Sequence, residues 1–403
     1  LSKYLSSSSG SRFQTNNLDG VDQGMSNINL RGLDNSSTLL LINSKRQTTA
    51  GTPSTRGQGY VDVNIIPEIA VKRIEILKES ASPQYGSDAV AGVVNIFTYE
   101  EFDGFRLKTD YQSTENYDQS NTKIGMLFGK AYENGNYVVA IDFLKRKPLS
   151  AAEIEGIAEL AVSGLGRSFK VSEADVVSSG LWAGEYKKNQ KIPDPDCINN
   201  GGVLTNPTTC GFQYGNRFNI VNDEDHNKIY TALNHEFDKF LYSFKLLSDV
   251  NINDNPQSPS YPALPFLARK IDPNQGMSPF NVPVTWYGRP LGSEFESPYS
   301  PKKIDQYHFN QILKFDIGDD RLEISLSQSG HKNDHFRPDI IDSRFLLAIN
   351  GNGGKNGNET WNLFDYRENS QELIDFVKGA EVSSKESKLL SLELLYKKTI
   401  SDS

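Results

Sequence analysis

Residues 71–98 read VKRIEILKESASPQYGSDAVAGVVNIFT and contain two short apolar runs on either side of a polar hinge. The first run, Ile74–Leu77, alternates with charged neighbours, which is the two-residue period of a half-buried strand. The second run, Val90–Phe97, is almost entirely apolar and rich in β-branched residues, as in a strand covered on both faces. Pro83 and Gly86 lie between them and predict a change of direction. The stretch therefore predicts two strands joined by a turn.

Gly92 interrupts the second apolar run. Glycine ordinarily weakens a strand, so its presence there indicates that a neighbouring backbone approaches closely. Two upstream segments also have strand-like patterns, NINLRGL at Asn27–Leu33 and TLLLINSKR at Thr38–Arg46. The first hundred residues therefore contain four strand-like segments.

These segments resemble the core of the plug domain of TonB-dependent outer-membrane receptors. In that family a run similar to ERIEVLKG leads into ALYGSDAIAGVVNIITK, whereas this chain has KRIEILKES and then PQYGSDAVAGVVNIFT. Several separate motifs agree in order and spacing, which makes the resemblance specific. One position departs from the family, because Ser44 stands where a turn glycine is frequent, and serine disfavours positive φ. The residues that carry the plug motif are Arg31, Gly32, Arg73, Glu75, Tyr85, Gly86, Asp88 and Gly92.

Charge and composition limit the class of protein. The 403 residues include 42 basic and 51 acidic side chains, for a net charge of −9. This balance argues against a nucleic-acid-binding protein, which would show a basic patch. The chain starts without Met or an apolar leader, and inside a plug-like pattern, so we expect a fragment of a longer exported protein. A soluble cytoplasmic protein is the alternative.

After Glu101 the sequence changes to segments of about a dozen residues that alternate in polarity. They predict about eight strands, each with one apolar and one polar face. The segments are Gly104–Thr114, Asn121–Ala131, Asn136–Lys147, Asn227–Phe237, Phe240–Ser248, Tyr307–Ile317, Arg321–Ser327 and Ser387–Lys397.

The connections between these segments are unequal in length. Glu133–Gly135, Asp238–Lys239 and Gly318–Asp320 predict tight hairpins, whereas the connections after Lys147, Asp249 and Lys332 run to roughly fifty residues or more, far beyond a hairpin loop. Short and long joins in alternation are typical of a transmembrane barrel, with periplasmic turns on one rim and extracellular loops on the other.

We therefore predict two domains. An α+β partial plug domain, residues 1–101, is followed by an incomplete antiparallel transmembrane β-barrel, residues 102–403. Eight strands alone would close around a lumen filled by side chains, so they are expected to be part of a barrel of roughly 22 strands, the size that encloses a plug.

The resemblance implies a function in the bacterial outer membrane, in contact with its lipid. It implies a receptor for active uptake of a scarce small-molecule ligand, which could be a ferric siderophore, cobalamin, a saccharide or a peptide. The energy-coupling partner TonB would pair by strand addition with a segment missing from this fragment. The alternative is a signalling or adhesion receptor of the outer membrane that binds ligand without transport.

The loop Gln47–Tyr60 is polar and rich in Gly and Thr. In the resembled family the plug loops after this strand face outward and help to form the substrate pocket. We therefore predict that Arg56, Gln58 and Tyr60 contact the ligand, and an ordinary solvated loop is the alternative.

The remaining chemistry is sparse. Cys197 and Cys210 enclose a Gly/Asn/Pro-rich segment that the resemblance places outside the cytoplasm, so we expect a disulfide, with two unrelated thiols as the alternative. His331 and His335 have the spacing of a helical metal pair, but they lie at a predicted strand end. We find no catalytic or phosphate-binding motif, and we expect neither an enzyme nor a bound cofactor or metal.

Overall fold

The computed structural model describes residues 24–33, 36–53, 57–78, 82–256, 258–260 and 268–398. Within these residues, no helix is both long enough and apolar enough to cross a membrane.

The N-terminal domain is built on a four-stranded sheet. Its strands are β1 (Thr38–Ile42), β2 (Lys45–Arg46), β3 (Val71–Leu77) and β4 (Gly92–Thr98), in the order β2-β1-β4-β3. The pair β1 and β4 is parallel, and the other neighbours are antiparallel. A short helix, α1 (Ser82–Tyr85), and the 3-10 turn Ser87–Ala89 connect β3 to β4, and two further 3-10 turns, Val63–Ile65 and Glu68–Ala70, precede β3.

The two strands predicted from residues 71–98 are confirmed, with one difference in their burial. Strand β4 is buried over most of its length, as its continuous apolar run predicts. Strand β3 is instead largely exposed, because it lies at the edge of this sheet.

The turn between β1 and β2 contains the position where serine replaces the frequent glycine. Asn43 and Ser44 adopt φ of 49° and 65°, which a non-glycine residue tolerates only with support. Asn95 supplies it: its Oδ1 accepts from the Ser44 N–H at 3.0 Å, and its Nδ2 donates to the Ser44 Oγ at 3.0 Å. The side chain of Asn95 therefore supports a positive φ at Ser44, where a glycine would need no such support.

The rest of the chain is dominated by strands. In chain order they are β5 (Gly104–Ser113), β6 (Ser120–Tyr132), β7 (Gly135–Arg146), β8 (Leu149–Ser150), β9 (Val162–Ser163), β10 (Arg167–Val171), β11 (Asp175–Val177), β12 (Gly184–Tyr186), β13 (Lys191–Pro193), β14 (Val203–Asn206), β15 (Thr209–Gln213), β16 (Asn219–Val221), β17 (Asp223–Phe237), β18 (Phe240–Asp254), β19 (Arg269–Ile271), β20 (Val284–Gly288), β21 (Lys302–Ile317), β22 (Asp320–Ile340) and β23 (Lys378–Lys397). The helices are α2 (Asp342–Ile349) and α3 (Gln371–Val377), with 3-10 turns at Ala151–Glu153, Ala158–Leu160, Gly215–Arg217 and Tyr366–Glu368.

Eight of these strands form one antiparallel sheet, which we call the wall sheet. Its order is β23-β22-β21-β18-β17-β7-β6-β5, so the strands follow one another up and down without a crossover. Among the described residues, β5 and β23 each pair on one side only, and the sheet is open. The predicted fold class, an α+β domain followed by eight strands of an unclosed antiparallel barrel, is confirmed.

The two faces of the wall sheet differ as the alternating pattern predicts. The face that meets the N-terminal domain buries polar and apolar side chains together, for example His226, Tyr230, Asp249, Asn251 and His308. The opposite face carries exposed apolar side chains. They include Phe105, Leu107, Tyr111, Ile124, Phe128, Phe143, Ile229, Phe237, Ile252, Leu390, Leu392 and Leu394.

Both kinds of connection lie where they are expected. The hairpins β6–β7, β17–β18 and β21–β22 each close through two residues at one end of the sheet. The long connections 147–222, 255–301 and 341–377 all leave from the other end. The strands reach further toward that end than the sequence predicts, and β22 is 21 residues long.

The long connections fold together into what we call the cap. Their short strands and helices α2 and α3 enclose a common apolar core, which the sequence does not predict. The largest core side chains come from all three connections: Phe169 and Trp182, Phe280 and Trp286, and Phe345, Trp361 and Phe364.

Candidate functional site

The N-terminal domain is fixed to the inner face of the wall sheet by an apolar contact at one side. Its core continues into the sheet, where Leu127, Val138 and Tyr230 are fully buried with it. The Tyr230 hydroxyl accepts from the Thr98 hydroxyl at 2.9 Å and donates to the backbone oxygen of Tyr99 at 2.8 Å. The domain is therefore both packed against β6, β7 and β17 and oriented by them.

At the other side the contact is polar and follows strand β22. Three consecutive inward side chains of that strand, Ser329, His331 and Asn333, meet the segment that leaves β2. The Ser329 Oγ accepts from the Thr48 N–H at 2.8 Å, and the His331 Nδ1 accepts from the Gly51 N–H at 3.1 Å. The Asn333 amide donates to the Thr52 hydroxyl at 3.2 Å. The two-residue period of the strand thus matches a row of polar groups on the domain.

Asp62, at the end of the loop that follows β2, also contacts the wall sheet. Its side chain is almost completely buried and accepts from the Ser26 N–H at 2.9 Å and the Asn64 N–H at 3.1 Å. The Gln306 amide donates to Asp62 at 3.2 Å and to Asp249 at 3.1 Å. Because a buried carboxylate is costly without such partners, these bonds hold the loop base firmly in place.

A buried group of charged side chains lies in the wall behind this contact. The His226 imidazole is 3.0 Å from the Glu224 carboxylate and 3.1 Å from the Asp249 carboxylate, and Arg146 pairs with Glu224. The Asn251 amide donates to the backbone oxygen of Gly24 at 2.7 Å. The charges are therefore paired within the wall and reach the N-terminal domain through neutral amides.

Glu68 forms a more exposed link at the start of the sheet. Its carboxylate is 2.9 Å from the Lys108 ammonium and 3.5 Å from that of Lys123, and the Asp142 carboxylate accepts from the Glu68 N–H at 2.8 Å. The hydrogen bond from Lys108 is the main cause that lowers the pKa of Glu68, against an opposing effect of burial. This carboxylate is therefore held in its ionised form.

The cap is braced by a disulfide bond. Cys197 and Cys210 are joined with their Cα atoms 5.7 Å apart, and both side chains are buried. Beside this region lies an open cleft of about 300 Å³ lined by polar side chains, among them Gln213, Arg217 and Glu296. The Arg217 guanidinium is itself engaged, since it donates to the backbone oxygens of Phe295 at 2.7 Å and Ser293 at 2.9 Å.

The model of the family described as "TonB-dependent Receptor Plug Domain" matches residues 2–93. The chain carries a TonB-dependent receptor plug domain.

Curated proteins similar to this chain include an outer-membrane protein. The "Iron-regulated outer membrane virulence protein" of Vibrio cholerae serotype O1 is 40% identical over 75 residues. The protein of the same name from a second strain gives the same identity over the same length. The alignment covers 18% of this chain and 12% of the relative, so the similarity is confined to a small part of both. The plug domain together with this similarity places the receptor in the bacterial outer membrane.

Solved structures of such receptors overlap with most of the chain at low similarity. The ferric enterobactin receptor PfeA of Pseudomonas aeruginosa is 13% identical with a TM-score of 0.39, covering 95% of this chain and 51% of its own. The ferric yersiniabactin uptake receptor FyuA of Yersinia pestis is 11% identical with a TM-score of 0.35, covering 83% and 41%. TM-scores below 0.5 are too low to decide the fold or the function of this receptor.

The plug motif residues have structural roles within the plug domain. Gly92 has φ of 136°, and a Cβ there would lie 2.3 Å from the Leu77 backbone oxygen, which is the close approach that its position in the apolar run predicts. Asp88 pairs with Arg46 at 2.6 Å.

The remaining motif residues support the same sheet and its turns. Arg73 stacks on the Phe97 ring at 3.7 Å and pairs with Glu75 at 2.7 Å. Arg31 donates to the backbone oxygen of Lys78, and Gly32 and Gly86 have positive φ. The Tyr85 backbone oxygen accepts from Arg46.

The three predicted ligand contacts are placed differently. Arg56 lies outside the described residues. Gln58 lies in the described part of the loop and is half-buried. Tyr60 is only 3% exposed, packs with Met25, Ala50 and Ile304, and its hydroxyl contacts the Met25 sulfur at 3.4 Å. A role of these side chains in ligand binding stays a prediction.

Sequence reasoning missed the residues that hold the plug domain to the wall. Asp62, Gln306 and Asn333 lie far apart in the chain, and none belongs to a local motif. The one available signal was the series of inward polar positions on β21 and β22, which are too polar for a face that only fills a core.

Proposed function

We propose that this receptor takes up a scarce ligand across the outer membrane, and that the plug domain closes the path until it is rearranged. The observation that carries the proposal is a plug domain hydrogen-bonded along the inner face of a wall sheet whose outer face is apolar. An apolar outer face suits contact with lipid, and a hydrogen-bonded plug suits a closed but releasable path. We assign residues 1–101 to the plug domain and residues 102–403 to the barrel.

We propose a ferric siderophore as the first substrate class to test. The support is the name of the curated relative, an iron-regulated outer-membrane protein. Cobalamin, saccharides and peptides are the other classes that a receptor of this kind would carry. The proposed energy source is TonB, which would pair with an extended segment of the complete receptor by strand addition.

The test uses the complete receptor, expressed in iron-starved cells that lack their other ferric-siderophore receptors. Radioactive iron bound to a catecholate or a hydroxamate siderophore is supplied, and surface binding and internal iron are measured separately. Uptake that disappears in an isogenic strain without TonB is the expected result.

Two other results would change the proposal. Surface binding without internal iron would favour a signalling or adhesion receptor, which is the alternative from the sequence. Uptake of labelled cyanocobalamin or of a labelled maltodextrin, with no binding of either iron chelate, would replace the substrate class and leave transport in place.

A further inference from the structure

Both legs of one plug loop meet the same side chain of the wall. The outgoing leg, Gly51–Pro53, and the returning leg, Gly57–Asp62, lie on either side of the His331 imidazole. The Gly51 N–H donates to Nδ1 at 3.1 Å, and the Asp62 carboxylate lies 3.6 Å from Nε2. His331 is only 3% exposed, so water does not compete freely for these nitrogens. One histidine thus faces a backbone donor on one leg and a carboxylate on the other.

The geometry selects one form of the imidazole. A backbone N–H donates only to a ring nitrogen that carries a lone pair, so Nδ1 has no proton. The neutral ring then carries its proton on Nε2, which points toward Asp62. Protonation of both nitrogens would remove the acceptor for Gly51. The Gln306 amide donates to the same Asp62 oxygen at 3.2 Å and to Asp249 at 3.1 Å, so bonds from other residues hold the Asp62 carboxylate beside the imidazole.

The backbone at Gly51 leaves little freedom for another arrangement. A Cβ at this position would lie 2.6 Å from the backbone oxygen of Lys385 in β23, so the outgoing leg lies directly against the wall. Thr48 holds the same leg from β23 as well, because its hydroxyl is 2.7 Å from that of Ser387. The leg is therefore fixed between two wall strands with His331 at its end.

We propose that His331 is a positioning residue that fixes the outgoing leg of the plug loop to the wall through Nδ1, in the tautomer with the proton on Nε2. Nε2 faces the Asp62 carboxylate of the returning leg at 3.6 Å and makes no hydrogen bond to it. The inference deepens the proposed function, because this loop is the part of the plug domain predicted to face the ligand. His331 itself is buried behind the loop and contributes by holding it.

The test measures amide hydrogen exchange at Gly51 in the complete receptor, reconstituted in liposomes without ligand. Replacing His331 by Phe keeps a buried ring but removes both nitrogens, and we expect Gly51 to exchange about tenfold faster or more. H331N places an amide oxygen near the Nδ1 position and should restore protection at Gly51. The matched control is H308F on the neighbouring strand β21, where the histidine is equally buried, and it should leave Gly51 unchanged.

A second measurement reads the tautomer directly. Nitrogen NMR of receptor labelled only at its histidines should show a ring with unprotonated Nδ1 whose signal vanishes in H331N. Equal exchange at Gly51 in wild type and H331F would overturn the proposal, and so would an H331N variant that exchanges as fast as H331F, or a His331 signal with protonated Nδ1. If wild-type receptor binds no ligand, the proposed function fails but the exchange result stands by itself.

Discussion

Trp182 joins the three connections that make the cap. It belongs to the first connection, and its indole N–H donates to the backbone oxygen of Phe364, in the third connection, at 3.1 Å. Its ring centroid lies 5.7 Å from that of Phe364 and 6.0 Å from that of Phe280, which comes from the second connection. The side chain is only 4% exposed. Replacing Trp182 should therefore loosen all three connections together.

The size of the effect follows from the contacts. Truncating a buried Trp or Phe to Ala costs about 3–5 kcal/mol, through lost burial and the cavity that remains. W182A should lie near the upper end, because it also leaves the Phe364 oxygen buried without its donor, at a cost of about 1–3 kcal/mol. W182F keeps most of the aromatic contact and loses mainly this hydrogen bond, so it should cost about 1–3 kcal/mol.

Hydrogen exchange of the intact receptor measures this loss where it occurs. Since each 1.4 kcal/mol is tenfold in an equilibrium, W182A should raise the opening of cap peptides by roughly 150- to 5,000-fold. The increase should appear in peptides of all three connections, and peptides of β6 and β7 should keep their protection. The control is L160A, because Leu160 is 85% exposed in the same connection. The reasoning is refuted if W182A behaves like L160A, or if only the peptide that contains residue 182 opens.

Three further predictions concern other links. Replacing Cys197 and Cys210 by Ala should lower cap stability by about 3 kcal/mol, the entropy of closing a loop of this length, seen as faster proteolysis of the cap than in wild type. G92A should destabilise the plug domain by about 2 kcal/mol or more, because positive φ and a clash with the backbone of β3 add together. G57A also has positive φ but no atom nearby, so comparing its thermal melting with that of G92A isolates the clash. Because the pKa of Glu68 is lowered, its pairing with Lys108 stabilises the fold above the ordinary carboxyl range and is lost as the pH falls through the lowered value. The acid-side loss of plug protection should therefore be smaller in E68Q than in wild type.

The wall strands were predictable because one face must be apolar and the other polar. This requirement gives each segment a two-residue period of polarity, which can be recognised in a single sequence without an alignment. For this reason Phe240–Ser248 and Tyr307–Ile317 were predicted as strands. The residues at their cap ends, 249–254 and 302–306, were not included in the prediction. The alternation of burial continues to the cap ends of both strands, but in β21 the outward positions Lys303 and Asp305 are charged, so the apolar face that marks a strand is absent there.

The cap was not predictable in the same way. Phe169 and Phe280 both pack against Phe364, yet the three side chains come from three different connections. A local period of polarity cannot indicate a core whose side chains are about a hundred residues apart in the sequence. The Pro- and Gly-rich stretches between them favoured an interpretation as loops with little regular structure.

The plug motif identified the domain but not the contacts that hold it. Motif residues such as Gly92 and Asp88 stabilise the plug sheet itself, and this role is local enough to leave a sequence pattern. The residues that bind the wall, such as Thr48 and Gly51, use backbone N–H groups, which every sequence carries. A contact made by the backbone leaves no mark in the side-chain pattern.

The contrast between the cap and the plug–wall contact has a physical consequence for the proposed transport. Opening the cap core would expose large aromatic side chains to water, and contact with water does not compensate for the lost apolar burial. Along β22 the plug domain is instead held by hydrogen bonds of Thr48, Gly51 and Thr52, each of which contributes only about 0.5–1.5 kcal/mol net because water satisfies the same groups after separation. Such a contact fixes the register of the plug domain against β22. Once water enters, its hydrogen bonds can be broken one at a time, each at a small free-energy cost. We therefore expect the plug domain to leave this side of the wall before the apolar side at β6, β7 and β17, and exchange during TonB-driven uptake should rise at residues 47–52 earlier than at β4.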